Sequence, residues 1–123
     1  MSALARYFKS IGKDVTGYDR VSTHLTHQLE KEGMDIYYKD EVSLIPEIYR
    51  NIRNTLIIYT PAIPSTNSIL EYFRHKGHEI MKRSQVLGKI MEPHTGIAIA
   101  GTHGKTTISS MIAHIFKHSG KFF

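Results

Sequence analysis

The chain has 123 residues, 41% of them hydrophobic, no cysteine, and a formal charge of +5 with a pI near 9.5. That length carries one domain, or one and part of another, while the missing cysteines exclude disulfides and thiolate metal sites. No stretch approaches the roughly 18 consecutive apolar residues of a membrane span, and lysine and arginine are scattered without a dense run or interleaved aromatics, so small anionic ligands account for the charge as well as nucleic acid does. No signal-peptide pattern is visible, and the expectation is a cytoplasmic protein with no membrane insertion and no nucleic-acid partner.

Along the chain, Met1, Leu4, Ala5, Phe8 and Ile11 repeat at helical spacing and stop at Gly12, which predicts a first helix. "DVTGYD" then reads as a short strand ending at Asp19, and a second helix is predicted over residues 22–31, capped by Ser22 and stopped by Gly33. "MDIYY" is a brief strand, "SLIPEIYRN" a weak helical connection, and "TLIIYT", residues 55–60, the strongest strand signal. The prolines of "PAIPST" exclude regular pairing, and a helix over residues 66–76 follows, with Ile69, Leu70 and Phe73 inward and Gly77 at its end. "HEIM" predicts another strand, and residues 84–91 a helix closed off before Pro93. Alternating strands and helices of this length predict an α/β fold with a Rossmann-like parallel sheet flanked by helices. The expected boundary is "EPHTG", residues 92–96, which separates a domain over 1–93 from a second unit over 94–123.

The second unit opens with "IAIAGTHGKTTISSMI", residues 97–112. Residues 97–100 suit a buried parallel strand, after which Ile108, Met111, Ile112, Ile115 and Phe116 fall on one helical face. Gly101 and Gly104 let the backbone curl so that amides face an anion, and the helix opening near Lys105 adds its positive end to the same spot. Lys105 would reach the β- and γ-phosphates of a nucleotide, and the Thr106 hydroxyl is placed to ligate Mg²⁺. The spacing departs from the usual G-x-x-x-x-G-K-[ST] loop, because Ile99 stands where the first glycine belongs; the pattern is G-T-x-G-K-T-T. A plain glycine turn before a helix is the alternative, and a lysine with two threonines in the first helical turn argues against it.

"GIAIAGTHGKTT", with "YTPAIPSTN" upstream and "RSQVLGKIM" between, resembles the Mur ligases, and most closely the members that add L-alanine. His103 between the loop glycines is similar to what those members and the murein tripeptide ligases carry. The resemblance implies an ATP-dependent ligase of peptidoglycan precursor synthesis, whose substrates are UDP-N-acetylmuramate and L-alanine. ATP phosphorylates the muramoyl carboxylate, the alanine amine attacks the acyl phosphate, and a tetrahedral intermediate collapses to amide and phosphate. Lys105 and Thr106 would be the catalytic pair, holding the transferring phosphate and its Mg²⁺. Gly101, Thr102, His103, Gly104 and Thr107 complete the implied ATP loop.

In this family the N-terminal unit binds the UDP portion. That places Asp19 near a ribose and Arg20 near uracil or pyrophosphate. Thr60, Pro61, Ala62 and Ile63 match the family's Ser-Ser-Ala-Ile, with no hydroxyl at the second position. Met1 and Ser2 match the end of a glycine-rich turn, G-x-G-G-x-G-M-S, which makes Ser2 a further implied substrate contact.

By this resemblance the first, central strand of the sheet is missing, and the chain is expected to be an inactive fragment that includes the beginning of a P-loop ATPase domain. Residues 97–100 are expected to fill the vacant position beside residues 55–60, within the chain or by strand exchange in a homodimer. Two further readings are a murein tripeptide recycling ligase and a non-catalytic nucleotide-binding module. The pairs His114/His118 and His75/His78 have zinc-compatible spacings but lack an accompanying carboxylate motif and read as surface histidines.

Overall fold

The computed structural model describes residues 1–120 and divides into two compact units, Met1–Lys89 and a second from Ile90 onward. The first unit contains α1 (Ser2–Ser10), β1 (Thr16–Tyr18), α2 (His24–Lys31), β2 (Asp35–Tyr37), two 3₁₀ turns (Val42–Leu44 and Glu47–Arg50), β3 (Leu56–Tyr59), α3 (Ser68–His75) and β4 (Glu79–Lys82). Helix α4 (Arg83–Met91) runs across the division, and α5 (Lys105–His118) belongs to the second unit.

Two parallel strand pairs organise the first unit. β1 pairs with β2 in the register Thr16–Asp35 to Tyr18–Tyr37, and β3 pairs with β4 from Leu56–Glu79 to Tyr59–Lys82. A parallel pair needs a crossover, and α2 and α3 supply one each, giving two consecutive βαβ units. The expected α/β class with parallel strands is therefore what the chain adopts.

Two differences concern the sheet. Among the described residues the strands form two separate two-stranded sheets, with no ladder from β1 to β3. Residues 97–100, expected as a strand, are not one. Their Ile-Ala alternation supplies an apolar run, but a strand exists only where a neighbour accepts its hydrogen bonds. β3 also shows the effect of a narrow sheet: Leu56 is exposed and Ile57, Ile58 and Tyr59 are only half-buried despite their apolarity.

The helix termini follow local chemistry. α2 begins two residues later than expected, because Thr23 rather than Ser22 caps it: the Thr26 amide donates to Thr23 Oγ1 at 3.2 Å, and the Thr23 amide donates to Thr26 Oγ1 at 2.9 Å. Ser22 instead lies 3.0 Å from His27 Nε2. The weak helical connection at 43–51 resolves into the two 3₁₀ turns, tied together by Arg50, which donates to the carbonyls of Val42 and Ile45.

Leu4, Leu29, Met34, Ile45, Leu70, Phe73 and Val86 form the buried apolar core of the described residues, with Met34 and Ile45 contributed by connections and the rest by helices. His78 joins them, which corrects its reading as a surface residue. It is 7% exposed at the entry to β4, lies edge-on to Phe73 with ring centroids 4.8 Å apart, and neither ring nitrogen has a hydrogen-bond partner among the described residues.

Outside the core, α1 is tied to the end of α2 by polar contacts. Arg6 forks onto the Glu32 carboxylate at 2.8–3.1 Å, and Lys9 donates to the Gly33 carbonyl at 2.7 Å. The hydrogen bond from Arg6 holds the Glu32 carboxyl below its ordinary value of 4.5, and His27, then Tyr38, do the same for Glu30. A carboxyl with a depressed folded-state pKa stabilises the fold above its unfolded value and loses that contribution as pH falls through the folded one. Urea titrations should therefore show stability declining as pH drops below 4.5, with a shallower decline in a Glu32→Gln chain; identical profiles for the two would mean that the Arg6 pair adds nothing.

Candidate functional site

Two groups of residues carry candidate chemistry. The first lies where β1 and β3 end. Asp19 follows β1 directly, its amide still donating to the Tyr37 carbonyl at 3.0 Å, and its Oδ1 accepts from the Val21 amide at 3.1 Å. One carboxylate oxygen thus holds a turn that presents Arg20, and both residues are exposed. After β3, Thr60 to Ile63 form a turn closed by the Ile63 amide on the Thr60 carbonyl at 3.1 Å. A second turn, Asn67 amide on Pro64 carbonyl at 3.1 Å, leads into α3. Pro61 and Ala62 are exposed, while Thr60 and Ile63 are half-buried. Ser2 sits in the first turn of α1, before the first intrahelical amide bond, Ala5 to Met1 at 3.2 Å.

Asp19, Arg20 and residues 60–63 follow the carboxyl ends of parallel strands, which is where α/β sheets place ligands. Among the described residues no hydrogen bond joins Asp19 or Arg20 to residues 60–63. A residue that the sequence does not single out, Asp40, ties the segment after β2 to the start of α3. It leaves the end of β2 and accepts from the amides of Ser68 and Ile69 at the start of α3, at 2.8 and 3.0 Å. Asn67, whose side chain accepts from the Leu70 amide at 2.9 Å, is readable in the sequence as a helix cap, whereas nothing local marks Asp40. Gln85 is likewise engaged, accepting from the Lys82 amide at 2.8 Å between β4 and α4.

The second group is the glycine loop of the second unit, residues 101–107, all exposed. Gly104 precedes α5 with φ +78°, a left-handed conformation that a side chain resists. At Gly101 a Cβ would come within 3.3 Å of the His103 carbonyl oxygen, a tight approach that glycine avoids. The first helical bond runs from the Ile108 amide to the Gly104 carbonyl at 3.0 Å, which leaves the amides of Lys105, Thr106 and Thr107 at the positive end of α5. Lys105 folds back over the loop and donates to the carbonyls of Gly101 and Thr102, while His103 Nδ1 lies 3.2 Å from Thr102 Oγ1. A loop of this form, with open amides, an ammonium across its mouth and two following hydroxyls, has the donors that a polyphosphate needs.

The family model for the Mur ligase family, catalytic domain, matches residues 1–95. The chain belongs to the Mur ligase family. It is 53% identical over 119 residues to a UDP-N-acetylmuramate–L-alanine ligase of Parabacteroides distasonis, a match that covers 97% of the chain. Proteins of the same name from Flavobacterium johnsoniae and Christiangramia forsetii are 50% and 47% identical over 98% of the chain. The chain spans about a quarter of the length of these relatives, 26% or 27% of each.

Within this Mur ligase chain, the left-handed Gly104 makes a local prediction. Gly104→Ala should cost about 1–2 kcal/mol at the start of α5. Amide exchange at Lys105 to Ile108 should accelerate while the core of the first unit is unchanged; unaltered exchange at those four amides would show that the left-handed turn is not required.

Proposed function

We propose that this chain carries the nucleotide-sugar unit and the phosphate loop of an ATP-dependent ligase that joins L-alanine to UDP-N-acetylmuramate. The observation that carries the reading is the match of nearly the entire chain, at about half identity, to proteins of that name. Residues 1–93 are the UDP-sugar-binding domain, and residues 94–123 begin the ATP-binding domain. Asp19 and Arg20 meet the ribose and the uracil or pyrophosphate, Thr60, Pro61, Ala62 and Ile63 line the sugar nucleotide from β3, and Ser2 contributes from the start of α1. We further infer that the two strand pairs are halves of one doubly wound sheet, with the position between β1 and β3 open.

ATP supplies the phosphoryl group that activates the muramoyl carboxylate. The chain's part is binding and charge neutralisation. Open amides at Lys105, Thr106 and Thr107 cradle the phosphates with Gly101, Thr102 and Gly104, the Lys105 ammonium exchanges its two carbonyl partners for phosphate oxygens, and the Thr106 hydroxyl is a Mg²⁺ ligand. His103, held beside Thr102, borders the nucleotide. The names of the relatives favour L-alanine over a tripeptide as the acceptor, and a cytoplasmic location goes with these substrates.

Among the described residues, residues 97–100 form no ladder, and β1 and β3 each pair with one strand alone. Strand exchange between two copies satisfies them together. Sedimentation should show a dimer whose dissociation is favoured by Ile97→Asp; a monomer across the micromolar range rules the exchange out.

Calorimetry on the 123-residue chain tests the functional reading. UDP-N-acetylmuramate should bind and protect amides of the first unit from exchange. Lys105→Ala should weaken Mg²⁺–ATP binding about 10–100-fold and leave UDP-sugar affinity unchanged. ATP binding without UDP-sugar binding would favour a bare nucleotide module, and an unchanged ATP affinity in the variant would remove the loop from the ATP site.

A further inference from the structure

The segment between β3 and α3 holds four of the residues assigned above to the sugar nucleotide, Thr60 to Ile63, and consists of two successive turns. Its far end is held more firmly than its turns. The Leu70 amide is taken by Asn67 Oδ1 at 2.9 Å, and Asn67 is 5% exposed. The Ser68 and Ile69 amides are both taken by one carboxylate, Asp40, through Oδ2 at 2.8 Å and Oδ1 at 3.0 Å. Asp40 reaches them from 28 and 29 residues earlier in the chain, out of the connection that leaves β2. That connection is tethered in turn, since Tyr38 donates its hydroxyl proton to Glu30 Oε1 of α2 at 2.9 Å.

Two physical consequences follow. A full negative charge already sits at the positive end of α3 with both oxygens engaged, so a ligand phosphate has no free amides to claim there. The bond also crosses from the β1–β2 half of the unit to the β3–β4 half, which otherwise share no ladder. A loop whose ends are fixed before the ligand arrives loses less entropy on binding.

We propose that Asp40 is the positioning residue of the nucleotide-sugar site: its carboxylate closes the start of α3 and fixes residues 60–67 against the end of β2 in their binding arrangement. The proposal rests on the reading of Thr60 to Ile63 as sugar-nucleotide contacts, and the test separates the two. In Asp40→Ala, hydrogen exchange at the Ser68 and Ile69 amides should rise at least about tenfold, with the core amides of Leu29 and Val86 unaffected, and UDP-N-acetylmuramate affinity should fall about tenfold. Asp40→Asn keeps one acceptor oxygen and should restore most of that affinity, whereas Mg²⁺–ATP affinity should be the same in all three chains.

Unchanged exchange at Ser68 and Ile69, or faster exchange spread evenly over the first unit, overturns the anchor. Unchanged sugar-nucleotide affinity with a loosened anchor overturns the positioning role. If the unsubstituted chain itself binds no UDP-N-acetylmuramate, the strand-end site fails instead, and the exchange measurement still decides whether Asp40 holds the loop.

Discussion

Parallel strands cannot be joined by a tight turn, and most of the first unit's anatomy follows from that constraint. Each pair must send the chain across one face through a helix before the second strand begins, so α2 and α3 are obligatory and their apolar faces, through Leu29 and through Leu70 and Phe73, make much of the core. The same constraint collects the loops that leave β1 and β3 at the carboxyl ends of strands, where side chains are released from the ladder and free to meet a ligand. Asp19, Arg20 and Thr60 to Ile63 are functional candidates because of where parallel pairing puts them.

A pair of two-stranded sheets buries little by itself. The apolar residues of β3 remain half-buried or exposed, and cohesion between the halves depends on contacts that are not ladder bonds. The Asp40 carboxylate on the start of α3 is of this kind, while the Arg50 guanidinium on the carbonyls of the 3₁₀ turns and the Arg6–Glu32 fork brace their own segments. Tyr49 reports the same crowding, since burial, with Asp14, Asp35 and Tyr37 nearby, raises its phenol pKa above the ordinary range. The second unit is simpler: α5 begins at a left-handed glycine and shows Ile108, Met111 and Ile115 to solvent at 46%, 59% and 61% exposure among the described residues.

What could be read from the sequence was what local chemistry decides. Helical period marked α1, α3 and α5, and glycines with positive φ ended α1, α2 and α3 where expected, at Gly12, Gly33 and Gly77. The strand pairs were legible because apolar runs alternated with helices. Non-local choices were not legible. Thr23 competed with Ser22 for the cap and won through the reciprocal bond to Thr26. Residues 97–100 had a strand's composition without a partner to make them one. His78 looked like a surface residue because its burial depends on Phe73, and Asp40 resembled any loop carboxylate because its partners lie 28 and 29 positions away. The glycine turn before α5 was legible, since its shape is set within seven consecutive residues.

The central claim is that the strand ends of the first unit hold the sugar nucleotide while the glycine loop holds ATP. Chemical-shift mapping of the ¹⁵N-labelled chain with UDP-N-acetylmuramate alone tests it most directly. The account predicts the largest perturbations at Asp19, Arg20 and residues 60–63, with those of Gly101 to Thr107 unmoved until Mg²⁺–ATP is added. Perturbations confined to Gly101 to Thr107 on addition of the UDP-sugar would contradict it.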